Sequence, residues 1–194
     1  MEKTVIKNVG VAITGSFCTH DKILNEIVLL VKKGYNVLPI ISDSVKSTDT
    51  RFGKANDFIL KLKEITGNDV IDNIVKAEPI GPKNLIDILL IAPCTGNTLS
   101  KLANAITDNA VLMTAKAHLR NNKPLVVGIS SNDNLGLNFN NLAKLVNSKN
   151  VYFVPFSQDD PINKPKSLIC NWSLIEKTLL SANEGIQLQP LFLK

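Results

Sequence analysis

The sequence predicts an α/β fold: three layers, α/β/α, around a doubly wound parallel sheet. Three observations carry that prediction. Short apolar runs rich in β-branched residues alternate with amphipathic stretches of helical period along the chain, the order that builds βαβ units. The run Ile86 to Ala92 is apolar at every position except Asp87, as a strand buried on both faces requires. The apolar runs end in clusters of small polar residues, at the edge where such sheets bind ligands.

The first strand is Val9 to Thr14, where Val9, Val11 and Ile13 are β-branched. A turn follows over Gly15 to Thr19. A helix then runs from about His20 to Lys33, with Ile23, Ile27, Leu30 and Val31 on one face and Gly34 as its stop. The second strand is Tyr35 to Ile41, ending at Ser42-Asp43-Ser44, and residues 43–54 read as a polar loop. Phe58, Leu62 and Ile65 mark a helix that ends at Gly67, and Ile74-Val75 suggest a short strand. Pro79, Gly81 and Pro82 break the chain before the central strand, Ile86 to Ala92. Helices follow around Leu99 to Ile106 and over Ala110 to Leu119, then the strand Leu125 to Ile129, a helix Phe139 to Val146 and the strand Val151 to Pro155. Ser157 to Lys166, with two prolines, reads as a loop. From Ser167 to Ala182, the residues Leu168, Trp172, Ile175 and Leu179 fall on one helical face, so this tail is expected to pack back on the body. With no repeat or low-complexity linker, the expectation is a single domain over residues 1–194, its tail from about 167 included.

Composition narrows the function. The 22 Lys plus Arg against 17 Asp plus Glu are scattered, and only 5% of residues are aromatic, so neither a basic patch nor a base-stacking surface for nucleic acid is expected. Cys18, Cys94 and Cys170 are odd in number and far apart, which excludes a disulfide framework and fits a reducing compartment. Cys18 and His20 are the nearest pair of metal-ligand types and supply only two ligands, so no metal site is expected. MEKTVIKNVG has no apolar signal core, and no apolar run nears the roughly 20 residues that span a bilayer, so a cytoplasmic protein with no membrane contact is expected.

Four strand ends carry small polar clusters: Thr14-Gly15-Ser16, Ser42-Asp43-Ser44, Pro93 to Thr98 and Ser130 to Asn134. Glycine lets backbone approach a ligand, and hydroxyls and helix N-termini hold anions, so together the four suggest a phosphate-bearing ligand. Each alone reads more readily as an ordinary turn or helix cap, and it is their convergence on one edge that favours a ligand. The Lys-Ser/Thr of a Walker loop and the GxGxxG of a dinucleotide turn are both absent from the first turn. P-C-T-G-N-T at 93–98 is the sharpest cluster, at the end of the most apolar strand and directly before a helix. Asn97 has an amide that both donates and accepts, and so suits a heterocycle edge. Lys101, one turn on, faces either an anion or solvent.

Pro93 to Asp108 resembles the P-A-S-A-N-T-x-x-K-x-x-x-G-x-x-D signature of the flavoprotein family, the Rossmann-like, homo-oligomeric FMN proteins that include cysteine decarboxylases and flavin prenyltransferases. VAITGS resembles that family's first phosphate-binding turn, and this likeness covers about residues 8–155. VGVAITGSFCTH, SDSV followed by RFG, APCTGNTLSKLANAITD, GISSNDNLGLN and NVYFVPFSQDDPINKPKS are similar, over almost the whole chain, to one branch of the family: the B subunits of bacterial dipicolinate synthase. That resemblance implies an oxidoreductase subunit that forms dipicolinate, pyridine-2,6-dicarboxylate, from dihydrodipicolinate during sporulation. It implies FMN in this chain, NADP on a partner A subunit, a homo-oligomer, and the mother-cell cytoplasm. Two other readings stay open: a scaffold or substrate-binding subunit without its own chemistry, and a free-standing FMN-dependent decarboxylase or prenyltransferase.

The resemblance implies cofactor contacts at Gly15, Ser16, Phe17 and Ser42 and, in the signature, at Pro93, Thr95, Gly96, Asn97 and Thr98. Cys94 and Gly96 depart from the signature's small residues, and Ala105 stands where it has glycine. No histidine lies between residues 21 and 117, so the decarboxylases' histidine has no counterpart in His20 or His118, and Ser130 to Asp133 replace their P-x-M-N substrate segment. A planar carboxylate is best held by arginine. Arg51 lies in a loop on the ligand edge and is the candidate, with Ser130 and Asn132, for a small dicarboxylate; the alternative is a solvated loop arginine. Arg120 reads as a helix end. Asp43 and Asp133 are within the loops, but spacing marks neither as a general base, and no residue is assigned catalysis. Cys18 and Cys94 read as small packing residues near the site.

Overall fold

The structure, a computed structural model, describes residues 5–193. Met1 to Thr4, which open the segment read as lacking a signal core, and Lys194 of the tail lie outside the described residues. Five strands run parallel: β1 (Asn8–Ile13), β2 (Asn36–Ile41), β3 (Ile88–Cys94), β4 (Leu125–Ser131) and β5 (Val151–Phe153), in the order β2-β1-β3-β4-β5. Every residue of β3 is buried, as the apolar run required. Gly10 in β1 makes room for that core, because a Cβ there would lie 2.8 Å from Ile86 Cδ1.

Helices α1 (His20–Lys32), α2 (Asp43–Ser47) and α3 (Ala55–Thr66) belong to the first half of the chain. They are followed by α4 (Ile74–Ala77), α5 (Gly96–Ala103), α6 (Ala110–Arg120), α7 (Phe139–Val146) and α8 (Ile175–Asn183). α1 packs on α3 and on β2 and β3, with α8 against β3, β4 and β5; α6 packs on α4 and α5, and α7 on α5 and β5. α3 ends as its sequence indicates, with Gly67 at φ +67° and its N–H on the Lys63 carbonyl at 2.8 Å.

Two expected loops are ordered elements. Ser42 precedes the short helix α2 within 43–54. Ser157 to Lys166 belongs to a hairpin, β6 (Phe156–Asp160) and β7 (Lys164–Cys170). The prolines that suggested a loop are accommodated: Pro161 is in the turn, and Pro165 falls where the β6–β7 register is irregular. β7 runs antiparallel to β4 at Ser130↔Ile169 and Ser131↔Leu168, while β5 pairs with the first half of β4. The hairpin thus extends the sheet above β5, at the ligand edge. Leu168 is therefore in a strand, and the tail helix begins only at Ile175.

The strand expected at Ile74-Val75 is instead α4, because the Asn73 side chain accepts the Lys76 N–H at 3.0 Å and caps a helical turn. β3 starts two residues later than expected and continues through Pro93 and Cys94. The tail does pack back. Phe156 donates to the Leu191 carbonyl and accepts from Leu193, and Phe192 lies edge-on to Phe156 at 4.9 Å. Gln187 covers the open edge of β5, accepting the Phe153 N–H at 2.8 Å and donating to its carbonyl at 2.7 Å.

Candidate functional site

The carboxyl ends of β1, β3 and β4 open on one cavity of about 820 Å³. The turn after β1 gives it Gly15 to Thr19, the turn after β3 gives Thr95 to Asn97, and β4 with its following loop gives Ser130 to Asp133 and Asn138. Arg51 and Phe52 close one side. Lys22 of α1 and the hairpin residues Asp159, Lys164 and Ser167 to Ile169 complete the wall.

Hydroxyl groups tie these turns together. Ser16 Oγ and Ser130 Oγ are 2.8 Å apart and join the β1 turn to β4. Thr14, 1% exposed, donates to the Pro93 carbonyl at 2.6 Å and accepts the Thr95 N–H at 3.1 Å, joining the β1 turn to the β3 turn. Ser167 Oγ donates to the Ser131 carbonyl at 3.3 Å and joins the hairpin. Bonds of this kind between buried or half-buried groups fix the relative positions of the loops.

Of the residues expected at a cofactor, Gly15, Ser16, Phe17, Thr95, Gly96 and Asn97 line the cavity; of those expected at a substrate, Arg51, Ser130 and Asn132 do. Three do not. Ser42 is buried behind the first turn, its Oγ 2.9 Å from Ser44 Oγ. Pro93 offers its carbonyl to Thr14 inside the sheet. Thr98 is buried in the first turn of α5, where its hydroxyl and N–H both meet Thr95 Oγ1. Thr95 is thus a helix cap as well as a cavity residue. Gly96 and Asn97 precede the first helical bond, Leu99 N–H to the Thr95 carbonyl, leaving early N–H groups of α5 at the cavity. A Cβ on Gly96 would come within 2.8 Å of both Asn138 Nδ2 and Ser131 Oγ, so only glycine leaves this corner intact.

The remaining candidates sort by their partners. Lys101 is ion-paired with Asp108, and Asp43 does not line the cavity. Asp133 does line it and accepts from Asn138 Nδ2 at 3.2 Å. His20 Nε2 donates to the Thr14 carbonyl at 3.0 Å, its ring stacked on Phe58, and His118 Nε2 donates to the Pro124 carbonyl at 2.9 Å. Burial lowers both imidazoles, against the opposing pull of those carbonyls, His118 to about 4. Burial pushes the Cys94 thiol up to about 12 and the Cys170 thiol up as well, so both are neutral packing groups. Cys18, expected as a packing residue, is exposed on the cavity wall. Among the described residues no three His, Cys, Asp or Glu side chains gather as a metal site, and no helix is long and apolar enough to cross a membrane.

Sequence reasoning missed Thr14 as a link, Lys22 and Asn138 as wall residues, and the whole hairpin contribution. Thr14 was legible as a strand end but not as a donor to Pro93, 79 residues away. For the hairpin the available signal was Asp160-Pro161-Ile162-Asn163, a turn sequence between two segments of strand length.

The family model "Flavoprotein" matches residues 1–182. The B subunit of dipicolinate synthase from Bacillus subtilis is 49% identical over 188 residues, covering 97% of this chain and 94% of that protein. The crystal structure of the dipicolinate synthase B subunit from Bacillus halodurans superposes with a TM-score of 0.89 at 48% identity, over 97% of this chain and 96% of that one. The FMN-dependent cysteine decarboxylase SpaF shares the fold, with a TM-score of 0.67 at 15% identity over 92% and 97% of the two chains. A family match over nearly the whole length, and relatives near half identity, place the turns around Ser16 and Asn97 in a known lineage: the chain belongs to the Flavoprotein family.

Proposed function

We propose that this chain is the B subunit of a dipicolinate synthase. In this reading it holds FMN and a small cyclic dicarboxylate in the 820 Å³ cavity and works with an A subunit that binds NADP. The observation that supports it most is the meeting, in one cavity, of the signature turns with Arg51 and the hairpin residues Asp159 and Lys164. The volume lies within the range of about 300–1,000 Å³ typical of small-molecule and cofactor sites. The residues fit a flavin mononucleotide. Gly15, Ser16 and the first N–H groups of α5 suit its phosphate, the corner at Gly96 admits a close approach, and Phe17, Phe52, Leu168 and Ile169 give an apolar wall for a ring. A bound flavin would supply a two-electron relay between the substrate and NADP.

The chain's own residues bind and orient. Arg51, Ser130 and Asn132 hold the substrate carboxylates, and the Ser16–Ser130 bond keeps the cofactor turn and the substrate loop in register. Conversion of dihydrodipicolinate to dipicolinate removes one hydride equivalent and one proton; NADP on the A subunit would be the final acceptor of the hydride, and the proton would leave to solvent. Neither imidazole borders the cavity, so the free-standing decarboxylase reading lacks its acid–base group. The same reading makes the chain a homo-oligomer in the cytoplasm of the mother cell.

The test is reconstitution. The chain alone, the A subunit alone and the two together are given dihydrodipicolinate and NADP, and dipicolinate is followed by absorbance. The reading expects rapid formation only with both. A rate for A that the chain does not change overturns it, and turnover by the chain alone with FMN would favour the free-standing enzyme.

A further inference from the structure

We infer that Lys164, on the β6–β7 hairpin, is a second carboxylate anchor of the cavity alongside Arg51, and that Asp159 competes with the ligand for it. The inference rests on the dicarboxylate reading above and adds to it the residues that would tell two carboxylates from one.

The hairpin is a braced platform. At its tip the Asp160 carboxylate accepts the N–H groups of Ile162 at 3.2 Å and Asn163 at 3.0 Å and the Asn163 amide at 2.9 Å. Gln158 Nε2 donates across it to the Pro165 carbonyl at 2.9 Å. Its base is fixed by the β4–β7 pairing and by the Leu135 N–H on the Lys166 carbonyl at 3.0 Å. Lys164 and Asp159 are thereby held in the lining of the cavity that Ser130 and Asn132 also line.

Three cations line the cavity: Lys22, Arg51 and Lys164. Lys22 extends from α1, whereas Arg51 and Lys164 come from the loop after β2 and from the hairpin. Arg51 has no carboxylate partner among the described residues; its guanidinium lies 4.9 Å from the Phe52 ring centroid. Lys164 is paired with Asp159 at 2.7 Å, with side chains 56% and 31% exposed. Ion pairs this exposed are weak, so a ligand carboxylate can take the place of Asp159 on the ammonium at little cost. A ligand with one carboxylate is satisfied by Arg51, the better fork for a planar group. A ligand with two gains from displacing Asp159, and the cavity then prefers it.

The experiment measures binding of pyridine-2,6-dicarboxylate and pyridine-2-carboxylate to the full chain by calorimetry, for the unsubstituted protein, Lys164→Met and Asp159→Asn. Melting temperatures serve as the control for folding. Lys164→Met is expected to weaken the dicarboxylate about tenfold and the monocarboxylate less than about twofold, while Asp159→Asn tightens the dicarboxylate about threefold. Opposite signs for the two variants separate competition from a merely structural ion pair, whose loss from either side would act alike. Equal effects of both variants, or unchanged dicarboxylate affinity in both, overturn the inference while the synthase reading stands on its reconstitution test. Dicarboxylate binding too weak to detect in the unsubstituted chain overturns it as well.

Discussion

Thr14 and Thr95 stand 81 residues apart in the chain and share one hydroxyl: Thr14 Oγ1 accepts the Thr95 N–H at 3.1 Å while donating to the Pro93 carbonyl at 2.6 Å. The side chain is buried, and its own carbonyl accepts from His20. One residue therefore joins β1, β3 and α1 at the point where the cavity opens. Thr14→Val preserves shape but leaves a buried N–H and a carbonyl without this partner, which costs about 2 kcal/mol. In a chain of this size the melting temperature should fall by roughly 4–8 °C. Thr14→Ser should restore most of it, since the hydroxyl returns. Thermal melts of the three proteins decide it; equal melting temperatures for Val and Ser would mean that packing, and not the shared hydroxyl, holds the turns.

Gly96 offers the opposite kind of probe. Its missing Cβ would press on Asn138 Nδ2 and Ser131 Oγ, both side-chain ends that can swing away, so Gly96→Ala should fold with a melting temperature within about 3 °C of the parent. The side chains that give way are on the cavity wall. FMN affinity, read from the quenching of flavin fluorescence, should therefore fall about tenfold, the equivalent of about 1.4 kcal/mol. Undiminished affinity would remove this corner from the cofactor site.

The parallel sheet was legible because β3 and β4 are apolar along almost their full length, which is a one-dimensional signal. The ligand edge was legible for a related reason: glycine and hydroxyl residues cluster where strands end. Ser42, Pro93 and Thr98 show the limit of that signal. Ser42 directly precedes α2, Pro93 is inside β3 and Thr98 is inside α5, so none of them lines the cavity, and a composition cluster carries no direction. The hairpin was hidden for a different reason. Its charged and proline-containing strands have an exposed outer part and pair with β4 only at Ser130 and Ser131, so local pattern gave no apolar alternation to read. Lys164 and Asp159 reached the cavity through that long-range pairing alone.

Acid should loosen the fold through its histidines. The His118 imidazole titrates at about 4 when folded, against an ordinary value of 6.5, because burial disfavours its charged form. Between those values the unfolded chain binds the extra proton, so stability is full above about pH 6.5 and is lost as the pH falls towards 4. The loss approaches roughly 3 kcal/mol at the lower end. His20 is lowered for the same reason and adds in the same direction. Asp69, Asp72 and Asp160 are held below their ordinary 3.8 and act only at lower pH. Urea midpoints at pH 7 and pH 5 should therefore differ in the parent and differ less in His118→Gln, which keeps a donor for the Pro124 carbonyl but does not titrate. An equal drop in both proteins would place the acid sensitivity elsewhere.

Ala105 carries a cost that the family signature avoids. It lies just past α5 at φ +58°, the left-handed region, at the position where the signature has glycine. For a residue with a Cβ that conformation costs about 1–2 kcal/mol. Asn84, Asn122 and Asn150 adopt it too, but asparagine tolerates it better than alanine. Ala105 is exposed, so no packing is lost on removing its methyl group, and its N–H keeps the Leu102 carbonyl at 3.3 Å. Part of the gain from Ala105→Gly is offset by the greater freedom of glycine in the unfolded chain, leaving a stabilisation of about 1 kcal/mol. A melting temperature higher by roughly 2–4 °C is the expected result. Ala105→Val should move it the other way, since a β-branched residue is a true outlier at positive φ. If glycine proves no better than alanine here, the turn after α5 relaxes away from the left-handed region in solution, and the departure from the signature is neutral.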